Sequence, residues 1–175
     1  MRDASQYWDF DWQEMGLFDL PATFDYITNK TGYEKIAYVG HSHGTTQMFY
    51  GLANNEEYFK SKISVVVALA PITKISHTKV DLLRVLTDVY GPGEDLLKTL
   101  GVHSLFTKTW IDSYSKKIVC GYYPELCMFF EKTIATRNID LDDLNRFNVW
   151  LAHFPCGTSL RTFIHQGQIL KEDRF

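Results

Sequence analysis

Cysteine and proline are scarce in this sequence, neither sign of charge is in excess, and no hydrophobic run is long. Each shortage closes a class of answers. Three cysteines are too few for the disulfide framework of a small secreted scaffold. Five prolines and eleven glycines lie scattered, so there is no Pro-rich or collagen-like tract, and no internal repeat is visible. The net charge of −3 gives no electrostatic footprint for nucleic acid. The longest apolar run, "VVVALAPI" from Val65 to Ile72, is strand length, well short of the roughly 18–20 residues of a membrane span. Met1 to Trp12, "MRDASQYWDFDW", lacks the apolar core of a secretory signal and, taken literally, points to the cytosol.

What remains is the balance of a folded domain. Of 175 residues, 45% are hydrophobic and 22% charged, which excludes a disordered chain. Aromatics reach 15%, a load that suits a thick core or an apolar binding surface, with core packing accounting for most of it. Leu17, Leu20, Phe24 and Ile27 recur at helical spacing, and Gly32 follows as a stop. Pro21 is awkward inside that stretch, which places the helix start near Asp19. "KIAYVG" and "KISVVVALAP" read as buried strands on either side of a helix, "GTTQMFYGLANN". Residues 19–71 therefore carry the βαβ grammar of a parallel sheet with helices on both faces.

Beyond Pro71 the character changes. "DLLRVLTDVYG", "EDLLKTLG", "PELCMFFEKTI", "LDDLNRFNVWLAHF" and "SLRTFIHQGQILK" read as short helices, with Asp140 and Thr158 as N-caps and no third strand. The expected division is a partial α/β core over 1–71 and a mostly helical cap over 72–175. Two strands cannot make a stable sheet alone, so the fold reads as incomplete.

The chemistry concentrates at "YVGHSHGTTQMF", where Gly40-His41-Ser42-His43-Gly44 matches G-x-S-x-G between a strand and a helix. A serine hydroxyl attacks an acyl carbon only when a base takes its proton and donors hold the oxyanion. A sharp strand-to-helix turn projects Ser42, Gly40 and Gly44 let the backbone pass close to itself, and the helix start offers the His43 backbone N–H as one oxyanion donor. His41 and His43 diverge from the serine in such a turn and read as lining. His77, His103, His153 and His165 read as structural or surface residues. Cys156 lacks the turn context of a nucleophile. Cys120 and Cys127 could form a small disulfide in an oxidising compartment, and their spacing is poor for zinc. Asn29-Lys30-Thr31 is an N-glycosylation triplet.

Several motifs in order carry a family likeness. "W-x-F-x-W-x-E-M" at Trp8 to Met15 is followed by "DLPA" at Asp19, "NKTG" at Asn29, "YVGHSHGTT" at Tyr38, "ALAP" at Ala68 and "HFPCGTS" at His153. Together they resemble the acid lipase family, over nearly the whole chain. The resemblance implies an α/β-hydrolase fold with a helical cap, and hydrolysis of neutral lipid esters (triacylglycerols or cholesteryl esters) with transient contact at a lipid surface. It implies Ser42 as nucleophile, Cys120 and Cys127 as the cap's disulfide pair, no metal or organic cofactor, and a lysosomal or secreted destination. The family usually has Gln at position 43, and a backbone N–H survives that change.

The likeness also implies absences. The family's second oxyanion donor would precede Met1, and its catalytic Asp and His would follow Phe175. The expectation is an internal piece of a lipase, without turnover of its own. Two other readings are a truncated, non-catalytic paralogue binding lipid or a protein partner, and an acyltransferase or thioesterase built on the same elbow.

Overall fold

The computed structural model describes residues 4–78, 92–107, 118–120, 122–123, 125, 128–129, 146, 153 and 156–175. After a short helix α1 (Ala4–Tyr7), a capping box opens α2 (Trp12–Glu14). The Asp11 carboxylate accepts from the Gln13 N–H at 2.7 Å, and Glu14 accepts from the Asp11 N–H at 2.8 Å. The helix does not begin at Asp19 as the sequence suggests. It runs on from α2 through a π-turn, Met15–Asp19, into α3 (Leu20–Thr31). Pro21 explains the wide turn. It has no N–H for an i−4 bond and its ring crowds the preceding turn, and the Leu20 N–H reaches back five residues to Met15 instead. Gly32 closes α3 at φ 75°, its N–H donating to Thr28 at 2.9 Å.

Strand β1 (Ile36–His41) is followed by α4 (His43–Asn54), α5 (Glu56–Lys62) and β2 (Ile63–Leu69). The strands pair in parallel, from Ile36 opposite Ile63 to His41 opposite Leu69. This is the βαβ unit read from sequence, with α5 as an addition. That helix is seven residues long, and the Asn55 side chain caps it. Ile36, Tyr38 and Val66 on one sheet face pack against a core of Leu20, Phe24, Met48 and Phe59. Val39, Val65, Val67 and Leu69 alternate with them and are 40–62% exposed. Among the described residues the helices thus cover one sheet face, where the sequence suggested two. A valine run is compatible with either burial pattern, so composition alone does not separate them.

Helix α4 crosses the π-turn at a contact only glycine permits. A Cβ on Gly51 would lie 2.5 Å from Phe59 Cζ and 3.0 Å from the Gly16 carbonyl oxygen; one on Gly16 would lie 2.7 Å from the Gln47 carbonyl oxygen. This approach fixes the N-terminal segment over the start of α4, which is where the site forms.

Later in the chain lie α6 (Pro92–Thr99), β3 (Ser104–Leu105), β4 (Thr158–Ser159) and α7 (Leu160–Glu172). Strands β3 and β4 pair antiparallel, which corrects the expectation of no further strand; each is two residues long and exists only through its distant partner. The N-cap of α7 is Ser159, accepting from the Thr162 N–H at 2.9 Å, and not Thr158, which is committed to the ladder. Asp140 lies outside the described residues. Cys120 is buried and disulfide-bonded, whereas Cys127 lies outside the described residues. Cys156 is free and exposed, its thiol donating to the His153 carbonyl.

Candidate active site

Ser42 occupies the turn between β1 and α4 at φ 53°, ψ −119°. A non-glycine residue there carries strain of order 1–3 kcal/mol, which persists only where the surroundings over-determine it. They do so here. The Ser42 N–H donates to Leu69 O at 2.9 Å, extending the sheet by one bond. The Ser42 carbonyl accepts from both the N–H and the hydroxyl of Thr45, at 2.9 and 2.6 Å. Thr45 Oγ1 in turn accepts from the Ile72 N–H, and the hydroxyl of Thr46 donates to Ile72 O. Both threonines are fully buried. They clamp the chain just after β2 to the start of α4, a role that "GTT" did not disclose by itself.

The two elbow glycines differ. A Cβ on Gly40 would meet Tyr38 Cε1 at 2.8 Å and the Gly44 backbone at 3.1–3.2 Å, so close passage requires glycine at 40. On Gly44 the nearest atom would be Tyr38 Oη at 3.5 Å, an ordinary contact. The Tyr38 hydroxyl donates to Gly44 O at 2.8 Å and closes the turn from beneath.

Around the elbow the structure assembles residues that sequence separation had hidden. Helix α7 reaches the N-terminal segment with Arg161, Thr162, His165 and Gln166. The Arg161 guanidinium meets Asp9 at 2.9 Å, Asp11 at 3.2 Å and Glu14 at 3.4 Å. Ser159 Oγ and the Thr162 hydroxyl both reach the Phe10 carbonyl. The His165 ring stacks on Trp12 with centroids 3.6 Å apart, and its Nδ1 lies 3.2 Å from Asp11 Oδ2. Burial pushes the Asp11 carboxyl up, but the Gln13 N–H and the charges of His165 and Arg161 outweigh it and hold the group below its ordinary value. An ionised carboxylate only accepts, so His165 carries its proton on Nδ1.

His43 packs edge-on to Trp12, and its Nδ1 lies 2.8 Å from Gln166 Nε2. Its Nε2 is buried and has no hydrogen-bond partner among the described residues. Burial lowers the His43 pKa from 6.5; the Asp11 charge opposes this and the His165 charge adds to it. An imidazole that resists protonation when folded binds fewer protons than the unfolded chain at acid pH. Its contribution to stability is therefore full above about 6.5 and falls as pH drops towards the lowered value. The Asp11 contribution likewise holds above its ordinary value of 3.8 and is lost below it. Urea midpoints measured between pH 7.5 and 5 should decline in the wild type. The decline should be shallower in His43→Gln, and equal declines would show that another group carries the titration.

Ser42 is half-buried, and no described residue hydrogen-bonds its hydroxyl. His41 and His77 are exposed, and His103 contributes a backbone carbonyl to the Leu160 N–H. Asn29 is exposed on the last turn of α3. Among the described residues no cluster of His, Cys, Asp and Glu could hold a metal ion.

A strand that turns through a strained serine into a helix, backed by a parallel partner strand, has the geometry of the nucleophile elbow of α/β hydrolases. The family model described as "alpha/beta hydrolase fold" matches residues 3–109, and the chain belongs to that family. Within it, the chain is similar to the acid lipases. It is 33% identical to the gastric triacylglycerol lipase of Rattus norvegicus over 99% of this chain and 43% of that protein. It is 33% identical to lipase member K of Mus musculus, over 94% of this chain and 41% of that protein. Against the lysosomal acid lipase/cholesteryl ester hydrolase of Rattus norvegicus it is 30% identical, over 95% of this chain and 41% of the relative. The chain thus spans about two-fifths of the length of these curated relatives.

Proposed function

We propose that Ser42 is the nucleophile of a serine hydrolase acting on neutral lipid esters, triacylglycerol or cholesteryl ester, with the His43 backbone N–H as one oxyanion donor. The observation that carries this reading is the strained Ser42 backbone at the head of α4. The names of the relatives supply the substrate class. An acyl-enzyme would form as Ser42 Oγ bonds the ester carbonyl carbon, the alcohol leaves with the serine proton, and water later releases the acid. Neither histidine near the elbow serves as the base in this reading, because among the described residues the Ser42 hydroxyl makes no hydrogen bond to His43 or His165. Without that base the 175 residues should give no ester turnover above background.

The test is a fluorophosphonate probe with the labelled peptide mapped by mass spectrometry, beside p-nitrophenyl butyrate hydrolysis. Slow labelling of Ser42 is expected, since positioning and oxyanion donors retain part of the catalysis when a triad is broken. Ser42→Ala should not label. Labelling elsewhere, or equally in Ser42→Ala, would remove the serine from the mechanism.

The cap division at residue 72 and lipid-surface contact belong to the same proposal. Leu96 on α6, Leu100 just beyond it and Phe106 after β3 are 54–67% exposed and suit an interfacial surface. Among the described residues no helix is long and apolar enough to cross a membrane. We assign the chain to the secretory route that the relatives' names suggest, secreted or lysosomal, supported by the disulfide at Cys120 and the exposed triplet at Asn29.

A further inference from the structure

The ring of His43 is held from far along the chain. Gln166 stands on α7, 123 residues away in sequence, and its side-chain amide meets His43 Nδ1 at 2.8 Å. The same helix is fastened to the N-terminal segment at three other points, Arg161, Thr162 and His165. Its position over the elbow is therefore set independently of the Gln166 contact. Trp12 fills the space between the two imidazoles, stacked on His165 and edge-on to His43. His43 is also the first residue of α4, so a restraint on its side chain acts beside the peptide that carries the elbow's N–H.

We infer that Gln166 is a positioning residue: its amide N–H donates to His43 Nδ1, places the ring proton on Nε2, and holds the His43 backbone N–H in register with Ser42. The significance of that N–H as an oxyanion donor rests on the function proposed above; the hydrogen bond and the tautomer do not. An amide can present either its nitrogen or its oxygen to a ring nitrogen. The inference therefore commits to one of two distinguishable states. An Nδ1 that accepts puts the proton on Nε2, which is buried and has no hydrogen-bond partner among the described residues, so the contact with Gln166 alone sets the choice.

The experiment uses the whole 175-residue chain, labelled with ¹⁵N, in three forms: wild type, Gln166→Leu and Gln166→Glu. Long-range ¹⁵N–¹H correlations at pH 7.5 read the tautomer of His43 directly, and amide relaxation reads the order of its backbone. Wild type should show a single tautomer with the proton on Nε2. Gln166→Leu should show a mixture and a less ordered His43 amide. Gln166→Glu can only accept, and should move the proton to Nδ1 although its size is unchanged. A purely structural role for Gln166 would not invert the tautomer. A wild-type proton on Nδ1, or the same spectrum in all three chains, would overturn the inference.

The fluorophosphonate rate on Ser42 gives the second readout. It should fall about 10- to 100-fold in Gln166→Leu, the range expected for a small misplacement of a catalytic group. Undiminished labelling of Ser42 in Gln166→Leu would overturn the positioning claim. If the wild type itself is not labelled, the serine-hydrolase reading fails for this chain, and the tautomer and amide order still decide whether Gln166 holds His43.

Discussion

Replacing Phe59 by alanine should cost about 3–5 kcal/mol and unfold a large share of the molecules at 37 °C. The ring is fully buried at the joint of α3, α4 and α5. It meets Phe24 edge-on at 5.9 Å and Tyr58 at 5.4 Å, and it covers the face of Gly51. Truncation loses the transfer free energy of a phenyl group and leaves a cavity that this framework fills only in part. The loss is a large fraction of a typical total stability of about 5–15 kcal/mol. Phe106→Ala, at a ring 54% exposed, is the control and should change stability by less than about 1 kcal/mol. Urea denaturation followed by tryptophan fluorescence compares the two. Equal small losses would mean that the helical layer does not carry the fold.

The second large effect is expected at the elbow. Gly40→Ala drives a methyl against Tyr38 and the backbone of Gly44, and backbone cannot step aside as the end of a side chain can. The expected loss is about 1–3 kcal/mol or more, together with loss of Ser42 labelling. Gly44→Ala should leave both within about 1 kcal/mol or a fewfold of wild type, because its Cβ meets only ordinary contacts and alanine favours a helix. The two glycines of one five-residue motif are thus separable by melting curves and probe labelling. Equal damage from both would show that the turn is tighter at Gly44 than its contacts indicate.

The contrast between those glycines shows what sequence reading captures. The spacing G-x-S-x-G between an apolar run and a helix announces the elbow because strand, turn and helix are all local. The strands β1 and β2 and the helices α3 and α4 were legible for the same reason: each carries its own periodicity. Helix α5 was not, being two turns with few apolar residues to set a period. The two-residue strands β3 and β4 were not, because nothing within two residues encodes a partner more than fifty positions away. The π-turn was half legible, since Pro21 signalled trouble without saying whether the helix would start late or widen. Least legible was the cluster about the elbow. Asp11, His43, His165 and Gln166 come from three separated segments, and no local pattern makes a histidine on α7 a neighbour of Trp12. The departure from Gln at position 43 was the only available signal.

The fastening of α7 to the N-terminal segment has a consequence for the order in which the chain folds. Arg161 and its carboxylates are separated by about 150 positions, whereas β1, α4, α5 and β2 close within 34. Contacts so far apart form late, because a long loop must close before they give any return. On a ribosome the βαβ unit is complete long before Arg161 leaves the exit tunnel. Until then Asp9, Asp11 and Glu14 stand side by side with no cation between them, repelling one another, and the tryptophan that will lie under His165 faces water. The elbow can therefore take shape early, but its surroundings are finished only when the last helix of these residues arrives.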